Sequence, residues 1–166
     1  MKPQEKKYLV NPFTKILKIL KEKGAKKRKK IVSTHYYGQH AGNDVEKFVE
    51  YVDRYEVHVL KESDGRFTMT EHKPIEDKKA GLVWLKGKGY TNASIIKMAY
   101  TEYEYKNGTV GLYTINDFLH YVNLYYPQNQ HETIEKEFGL QNAEVITVPY
   151  NKYLEKLGRL RLIKLT

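Results

Sequence analysis

The stretch that decides the fold is Tyr55–Lys73, YEVHVLKESDGRFTMTEHK. Its two halves alternate between polar and apolar residues and are separated by the turn sequence Ser63–Gly65. Alternation at a period of two predicts strands, and Asp-Gly between two such segments is a strong hairpin signal. The stretch therefore predicts an antiparallel hairpin whose second strand ends in the charged triplet Glu71–Lys73.

The register of this hairpin stays open, because two turn geometries fit the sequence. A two-residue turn would place His58 opposite Glu71 and Glu56 opposite Lys73. A three-residue loop would instead leave Glu71 and Lys73 at the rim of an apolar face. That face would consist of Tyr55, Val57, Val59, Phe67 and Met69. Because a slip of one residue moves every side chain to the other face, the register decides which residues can form a site.

The totals of the chain indicate a single soluble domain. With 166 residues, residues 1–166 can form one domain and bury a core without covalent staples. The absence of cysteine excludes a disulfide scaffold, a cysteine nucleophile and a zinc-thiolate site, and it suits a reducing compartment. The chain begins without the apolar segment of a signal peptide, and no apolar run reaches the roughly 18 residues of a membrane span. We expect a cytoplasmic protein with no membrane contact.

The charge of the chain favours a polyanionic partner. The formal net charge is +9 and the sequence pI is near 9.4, so binding to phosphates would release counterions. We expect nucleic acid as the partner, with DNA favoured over RNA; a lysine-rich surface that serves solubility or heat tolerance, as in a thermophile, is the alternative. The residues expected to contact phosphates are Lys26, Lys27, Arg28, Lys29, Lys30, Lys86, Lys88 and Tyr90.

The first half of the chain predicts a helix capped at Asn11 and ended by Gly24, then a short strand over residues 31–34. A second helix is predicted from Asn43 or Asp44, because Val45, Phe48, Val49 and Val52 fall at helical spacing. The apolar run Ala80–Leu85 is typical of a strand buried on both faces.

The second half predicts alternating helices and strands. A helix capped at Thr91 or Asn92, a strand over 109–114 and a helix capped at Asn116 follow the buried strand. Further on, we expect helices over 130–138 and 150–157 and strands over 143–148 and 159–165. Short links between alternating elements favour parallel strands with right-handed crossovers. The predicted fold class is therefore α/β: one domain with a mixed sheet, an antiparallel hairpin plus parallel strands, flanked by helices.

Two polar segments are candidate binding loops. The loop HYYGQHAGND, residues 35–44, could give His40 a ligand or catalytic role. The alternative is that His40 is simply a polar side chain in an exposed loop. The turn KGKGYTN, residues 86–92, would place two glycines and two lysines at a helix N-terminus, where backbone N–H groups bind phosphate. The spacing of a Walker loop is absent, so hydrolysis of a nucleoside triphosphate is not expected.

The pair Glu71 and Lys73 is the sharpest catalytic candidate. Alternation places both side chains on one strand face, where the carboxylate can hold Mg²⁺ and the ammonium can orient the attacking water. A second metal-binding acid is needed, and Glu56 is our choice, with His58 as a possible additional residue. Asp53 and Asp64 rank behind Glu56, because Asp53 lies too far back along the strand and Asp64 belongs to the turn. The alternative is an ion pair on a solvated hairpin.

These residues resemble the restriction-endonuclease-like superfamily, whose hairpin carries an acid followed by a Glu-x-Lys element. The later segment, residues 80–126, looks like the second half of Mrr-type members of that superfamily. The resemblance implies a Mg²⁺-dependent nuclease in which Glu56 and Glu71 bind the metal and Lys73 assists the water. Two other functions stay open: a non-catalytic nucleic-acid-binding protein, and a structural or assembly protein whose tyrosines line an interface. A homodimer is compatible with each of them.

Overall fold

The computed structural model describes residues 1–166, of which 50% lie in strands and 22% in helices. Ten strands are present: β1 Pro3–Leu9, β2 Lys26–Gly38, β3 Val45–Glu50, β4 Tyr55–Ser63, β5 Arg66–Ile75, β6 Asn92–Tyr105, β7 Gly108–Ile115, β8 Leu119–Pro127, β9 Glu144–Ile146 and β10 Arg161–Lys164. The four α-helices are α1 Thr14–Glu22, α2 Lys78–Gly87, α3 His131–Glu137 and α4 Tyr150–Lys156, and a 3-10 turn spans Gln128–Gln130.

Contacts within the chain divide it into two compact units. The first unit consists of Met1–Ile31 and Ala99–Thr147, and the second of Val32–Met98 and Val148–Thr166. Strands β2 and β6 contribute residues to both units. The two units are defined by contacts between residues and are not separate domains by that criterion alone. The single domain expected over residues 1–166 therefore stays a prediction.

In the first unit the strands follow the order β6-β7-β8-β1-β9. One face of these strands packs on α1 and the end of α3 through a cluster of fully buried side chains. Tyr8 of β1, Ile16 of α1 and Phe138 after α3 are members of that cluster. The opposite face carries Lys7, because residues adjacent in a strand point to opposite sides of the sheet. Lys7 pairs with Asn123 of β8.

In the second unit the order is β5-β4-β3-β2, and β10 pairs with β6. Helix α2 covers one face of β3 and β4. It begins at Asp77, whose side chain accepts a hydrogen bond of 2.8 Å from the Ala80 backbone N–H. Gly81 of α2 lies against Phe48 so closely that an added Cβ would meet the ring at 2.6 Å. Phe48 is therefore fully buried.

The hairpin β4–β5 holds two registers, separated by a bulge. Near the turn, Ser63 pairs with Arg66, as the two-residue turn predicts, and both Asp64 and Gly65 have positive φ. Between Val59 and Leu60 the register shifts by one residue, and Thr70 is the extra residue of β5. Neither predicted register therefore extends along the whole hairpin.

Beyond this bulge the pairing differs from both expectations. His58 pairs with His72 rather than with Glu71, and Val57 pairs with Lys73. Glu71 and Lys73 share the face of Val57, as the three-residue loop would require, whereas Met69 pairs with Leu60 and lies on the other side.

The predicted α/β class with parallel strands is wrong, because all strand pairings are antiparallel. Three predicted helices are strands: the segment after Asp44 forms β3, the segment after Thr91 forms β6, and the segment after Asn116 leads into β8. Each contains β-branched or aromatic residues whose spacing fits a helix by coincidence, and pairing with neighbouring strands outweighs that pattern.

The opposite error occurs at residues 80–85, which are predicted as a strand and form most of α2. The helix start lies three residues earlier, at the Asp77 cap. The predicted elements that the structure confirms are the helix before Gly24, the strands over 31–34 and 109–114, the helices over 130–138 and 150–157, and the strands within 143–148 and 159–165. The predicted cap of the first helix at Asn11 is wrong, because its N-cap residue is Phe13. Strand β1 was not predicted. No helix has the length and apolar character that crossing a membrane requires.

Candidate functional site

The structure does not bring Glu56 and Glu71 together. Glu56 pairs with Pro74 and shares a face with His58, whereas Glu71 pairs with Val59 on the opposite face of β4–β5. Glu71 forms an ion pair of 2.9 Å with Lys73, and this hydrogen bond lowers the pKa of Glu71. The two acids therefore cannot share one ion as the nuclease interpretation requires, while the roles predicted for Glu56, Glu71 and Lys73 individually stay predictions.

The basic run Lys26–Lys30 lies in β2 and is exposed, not in a loop. Alternation along the strand sends its side chains to both faces. Arg28 forms an ion pair with Glu104, and Lys29 lies 3.9 Å from Glu102. The positive charge of the run is therefore divided between two faces and partly neutralised by acids of β6. Both effects weaken the predicted binding of this run to nucleic acid.

The predicted phosphate site at residues 86–92 follows a helix instead of preceding one. A helix C-terminus carries the negative end of the dipole and offers carbonyls, so it does not attract phosphate. Lys88 lies 3.3 Å from Glu46, and the Tyr90 hydroxyl donates a hydrogen bond of 2.7 Å to the same carboxylate. Lys86 is exposed.

His40 is held in its loop by both ring nitrogens. Its Nδ1 accepts a hydrogen bond of 3.1 Å from the Gly42 backbone N–H, and its Nε2 donates one of 2.7 Å to the Asp44 carbonyl. The ring also lies against Tyr90, with centroids 5.7 Å apart. These contacts give His40 a structural part in the loop that precedes β3.

The second unit carries a polar sheet face that crosses β2, β3, β4 and β5. Directly paired residues share a face of an antiparallel sheet. Tyr37 pairs with Lys47, Lys47 with His58, and His58 with His72, so these four side chains form one row. We name this surface the histidine face. It is formed by Ser33, His35, Tyr37, Lys47, Glu56, His58 and His72.

One end of the histidine face is a buried hydrogen-bond chain. The Lys47 ammonium donates to His35 Nδ1 at 2.9 Å, so the ring proton is on Nε2, which donates to the Ser33 hydroxyl at 2.9 Å. Burial, and then the Lys47 charge, keep the pKa of His35 well below its ordinary value. His35 is therefore neutral at physiological pH, and it leaves the positive charge on Lys47.

The other end of the histidine face gathers two imidazoles on one carboxylate. His58 Nε2 lies 3.0 Å and His72 Nε2 lies 2.8 Å from Glu56 Oε2. Arg54 donates to the other oxygen, Oε1, at 2.8 Å, and its guanidinium lies over the Tyr51 ring at 4.0 Å. Of the His, Asp and Glu side chains in the chain, these three form the group whose ligand atoms lie within 4.8 Å of one another.

The environment fixes the protonation of this group. Burial would raise the pKa of Glu56, but hydrogen bonds from Arg54, His58 and His72 outweigh it and hold the pKa at about 2. Burial, reinforced by the charge of Lys47, lowers the pKa of His58 to about 4. At neutral pH the group therefore contains an ionised carboxylate beside a neutral imidazole that is only 7% exposed.

The first unit carries a different polar face, on the side of the sheet away from its apolar cluster. Lys7 is 8% exposed, and burial lowers its pKa against the opposing charge of Glu5. The Asn123 side-chain amide donates to Glu5, while Asn123 Oδ1 is buried and accepts no hydrogen bond. An ammonium, a carboxylate and an amide thus meet on paired strands.

Tyrosines complete that face. The Tyr100 hydroxyl donates to Glu102, and the rings of Tyr100 and Tyr113 stack with centroids 4.5 Å apart. Gly111 makes room for them, since a Cβ there would meet the Tyr100 ring at 2.6 Å. We name this surface the carboxylate face. It is formed by Glu5, Lys7, Tyr100, Glu102, Tyr113 and Asn123.

Sequence reasoning missed Glu5, Lys7 and His72 as site residues. In β1, Glu5 and Lys7 lie on one side and Lys6 and Tyr8 on the other, but PQEKKYL lacks the polar–apolar alternation that predicts a strand. His72 had no signal either, because it reaches His58 only through the bulge at Thr70.

Comparison with known proteins gives a fold. No family model and no curated protein match the chain. Among solved structures, the PH1012 protein from Pyrococcus horikoshii OT3 is similar with a TM-score of 0.75 and 15% identity, over 89% of this chain and 96% of that one.

Two further similar structures have a described activity. A proposed adenylate cyclase from Vibrio parahaemolyticus has a TM-score of 0.67 at 13% identity, over 93% of this chain and 98% of that one. A proposed adenylyl cyclase from Hippeastrum, HpAC1, is described as having a dominant triphosphatase activity; its TM-score is 0.55 at 12% identity, over 97% of this chain and 98% of that one. At these identities the likeness shows the fold alone.

These findings correct the expected function class. The similar structures with a described activity are described as proposed adenylate cyclases or as a triphosphatase, and none as a nuclease or nucleic-acid-binding protein, so the expected nuclease activity and the expected nucleic-acid partner are both contradicted. The comparisons also lend no support to the resemblance to the restriction-endonuclease-like superfamily.

Proposed function

We propose that the protein is a divalent-metal-dependent phosphohydrolase whose substrates are small triphosphates, either nucleoside triphosphates or inorganic triphosphate. The observation that carries this proposal is the likeness over nearly the full length of both chains to HpAC1, described as a triphosphatase. The net charge of +9, first interpreted as a signal for nucleic acid, suits a small polyanion equally well.

The carboxylate face supports the proposal through its chemistry. A triphosphate presents many acceptor oxygens, and a lysine ammonium binds such oxygens as a point charge. Lys7 is only 8% exposed, and because burial lowers the effective dielectric, its electrostatic attraction to a phosphate is stronger there than in water. We propose that Lys7 binds the phosphate to be cleaved.

The donor atoms of this face fit Mg²⁺, the ion expected from the sequence. Mg²⁺ prefers oxygen ligands and is usually held by one or two carboxylates together with substrate phosphates. Glu5 and Glu102 supply such carboxylates, and both act on Tyr100 electrostatically. They would hold the ion, which when bound neutralises charge that develops on the phosphate oxygens.

Neighbouring residues would position these carboxylates. The Asn123 amide holds Glu5, and the Tyr100 hydroxyl holds Glu102. Burial, the neighbouring Tyr113 and Glu102 raise the pKa of Tyr100, so its hydroxyl stays protonated and keeps donating. Tyr100 and Asn123 are therefore positioning residues in this proposal.

The test is a hydrolysis assay with the purified chain. ATP, GTP and inorganic triphosphate are incubated with Mg²⁺, Mn²⁺ or EDTA, and released phosphate and nucleotide products are quantified by chromatography. We expect metal-dependent release of phosphate that Lys7→Met and Glu5→Gln each lower by about 100-fold, the usual effect of removing a group that binds developing charge.

Lys18→Met is the matched control, because Lys18 is an exposed lysine of α1 that pairs only with Glu22 across one helical turn. Its activity should equal that of the unaltered chain. Absence of hydrolysis with every substrate and metal, or full activity in Lys7→Met, would contradict the proposal. If the main product were a cyclic nucleotide, the activity would be that of a cyclase and not that of a hydrolase.

A further inference from the structure

The group Glu56, His58 and His72 has a geometry that ordinary cross-strand pairing does not require. Both imidazole Nε2 atoms converge on one carboxylate oxygen, at 3.0 and 2.8 Å. The rings lie 4.8 Å apart and nearly perpendicular, at 88°. The two Nε2 atoms and the carboxylate oxygen, all within 4.8 Å of one another, therefore lie close enough to be shared by one ion.

We propose that Glu56, His58 and His72 form a binding site for a first-row transition-metal ion, with Zn²⁺ as the best match. Two imidazoles and one carboxylate are a ligand set that holds catalytic zinc and other divalent transition metals. Mg²⁺ does not fit this set, because it prefers oxygen ligands and near-octahedral geometry. This group uses none of the residues of the carboxylate face, and the metal site would stand even if the proposed hydrolase activity failed.

The ligand atoms have to shift before they can hold the ion, chiefly by an approach of the two nitrogens. A tetrahedral ion with ligand distances of about 2.0–2.1 Å sets its ligand atoms roughly 3.3 Å apart. The nitrogen-to-oxygen distances of 3.0 and 2.8 Å need to open by only a few tenths of an ångström. The two nitrogens, which lie within 4.8 Å of each other, need to approach.

The strand order allows that approach. His58 is buried in β4, which has neighbours on both sides, so its position is fixed. His72 is exposed and lies in β5, which ends the strand order and pairs only with β4. His72 is therefore the ligand that can move.

A second set of contacts orients the carboxylate. Arg54 holds Glu56 Oε1 at 2.8 Å, and Arg54 is itself fixed by the Tyr51 ring at 4.0 Å and by Asp53 at 3.0 Å. Oε2 is left directed at the imidazoles. Partners of this kind fix the orientation of metal ligands and contribute to affinity.

The protonation state also suits a metal. Ligation requires a neutral imidazole and an ionised carboxylate. The Glu56 carboxylate accepts hydrogen bonds from Arg54, His58 and His72, contacts that favour its ionised form. Each imidazole would bind the ion in its neutral form with the ring proton on Nδ1, so that Nε2 presents its lone pair.

Three protein ligands leave at least one coordination position. Zinc in this arrangement takes a water or a substrate oxygen as its fourth ligand. Lys47 pairs directly with His58 on the same face, so an anionic group at that position would lie beside a cation. The site would therefore present a metal-bound oxygen rather than a closed structural centre.

The test uses the full chain freed of metal by dialysis against a chelator. Zn²⁺ is titrated by calorimetry in the absence of any phosphate compound, and Co²⁺ is titrated as a spectroscopic probe. We expect one Zn²⁺ per chain, no competition from about a 100-fold excess of Mg²⁺, and a Co²⁺ absorption spectrum of imidazole–carboxylate coordination.

Variants assign the binding to these residues. His72→Ala alters an exposed side chain and should leave folding intact, and Glu56→Gln keeps the shape of the carboxyl group. Each should weaken Zn²⁺ binding by at least about 10-fold. His120→Ala is the control, because His120 lies in the first unit, packs on Phe13 at 4.8 Å and is no part of the group.

Three results would overturn the proposal. The first is no Zn²⁺ binding by the unaltered chain, and the second is equal affinity in His72→Ala and Glu56→Gln. The third is equal competition by Mg²⁺, which would show an oxygen-ligand site elsewhere. Because these readouts need no substrate, they are separate from the outcome of the hydrolysis assay.

Discussion

The carboxylate face and the histidine face are built alike and differ in their donor atoms. Each is the polar side of antiparallel strands whose other side rests on an apolar cluster. The carboxylate face offers oxygens from Glu5 and Glu102, whereas the histidine face offers imidazole nitrogens around Glu56. Ligand chemistry, rather than fold, therefore separates a surface suited to Mg²⁺ and phosphate from one suited to zinc.

The largest expected effect comes from removing the apolar support beneath one face. Phe48 is fully buried and stacks on Tyr36 with centroids 4.4 Å apart. Phe48→Ala should lower the free energy of unfolding by about 3–5 kcal/mol, measured by urea denaturation. It should also weaken Zn²⁺ binding, because β3 positions β4.

Phe138→Ala is the matched change beneath the carboxylate face, where Phe138 is equally buried. It should cost a similar free energy of unfolding but leave Zn²⁺ affinity unchanged under conditions in which the protein stays folded. Equal loss of Zn²⁺ affinity in the two variants would break the distinction between the faces.

A smaller effect is expected where α2 packs behind the histidine face. An added Cβ at Gly81 would meet the Phe48 ring at 2.6 Å, so Gly81→Ala should destabilise the protein by about 1–3 kcal/mol. Gly87 lies in the same helix with nothing within 4 Å of such a Cβ, and Gly87→Ala should be neutral or stabilising by up to about 1 kcal/mol. Thermal unfolding of both variants checks this, and equal midpoints would refute the close packing.

Acid should act on the histidine face through His58. Its pKa is lowered from the ordinary 6.5 to about 4, so between these values the unfolded chain binds a proton that the folded chain does not. Stability should therefore fall as the pH drops from 6.5 to 4. His58→Gln should flatten this part of the profile of thermal midpoint against pH, whereas His120→Gln should not; an unchanged slope in His58→Gln would count against the buried neutral imidazole.

The smallest effect should come from the pair Glu71 and Lys73, which the sequence placed at the centre of catalysis. Both side chains are substantially exposed, and exposed ion pairs contribute little to stability. Glu71→Gln should leave the thermal midpoint nearly unchanged and leave Zn²⁺ affinity intact. A marked loss of either would show that this face of the hairpin contributes to the site after all.

The sequence predicted best where local chemistry decides the structure. The location of the hairpin turn at Ser63–Gly65 was predicted, although the choice between a two-residue and a three-residue turn stayed open, and the positive φ of Asp64 and Gly65 suits these residue types. The helix end at Gly158 is likewise found, and its φ is +66°. These features depend on a few neighbouring residues, which a sequence displays directly.

The sequence-based prediction failed where the same apolar pattern is compatible with both a helix and a strand. The spacing of Val45, Phe48 and Val49 fits a helix, but in β3 Phe48 packs on the apolar cluster while Val49 lies on the histidine face. The run Ala80–Leu85 fits a strand unless the cap at Asp77 is recognised. Tertiary pairing decided the first case, and an overlooked capping residue decided the second.

Only part of the candidate metal site could be predicted from the sequence. Glu56 and His58 were named from the sequence because they alternate on one strand, but their predicted partners were Glu71 and Lys73. The shift between Val59 and Leu60 replaces those partners with His72, and no feature of the sequence marks where a bulge must fall.

The extra residue Thr70 also has a consequence for how this hairpin can change through evolution. Between the turn and Thr70, the register of the two strands is the one that the Asp64-Gly65 turn sets. Beyond Thr70, the register is the one that pairs His58 with His72. A bulge can absorb a residue gained or lost between these points, since it already holds one unpaired residue. The length of the turn can therefore change during evolution while the three candidate ligands keep their pairing across β4 and β5.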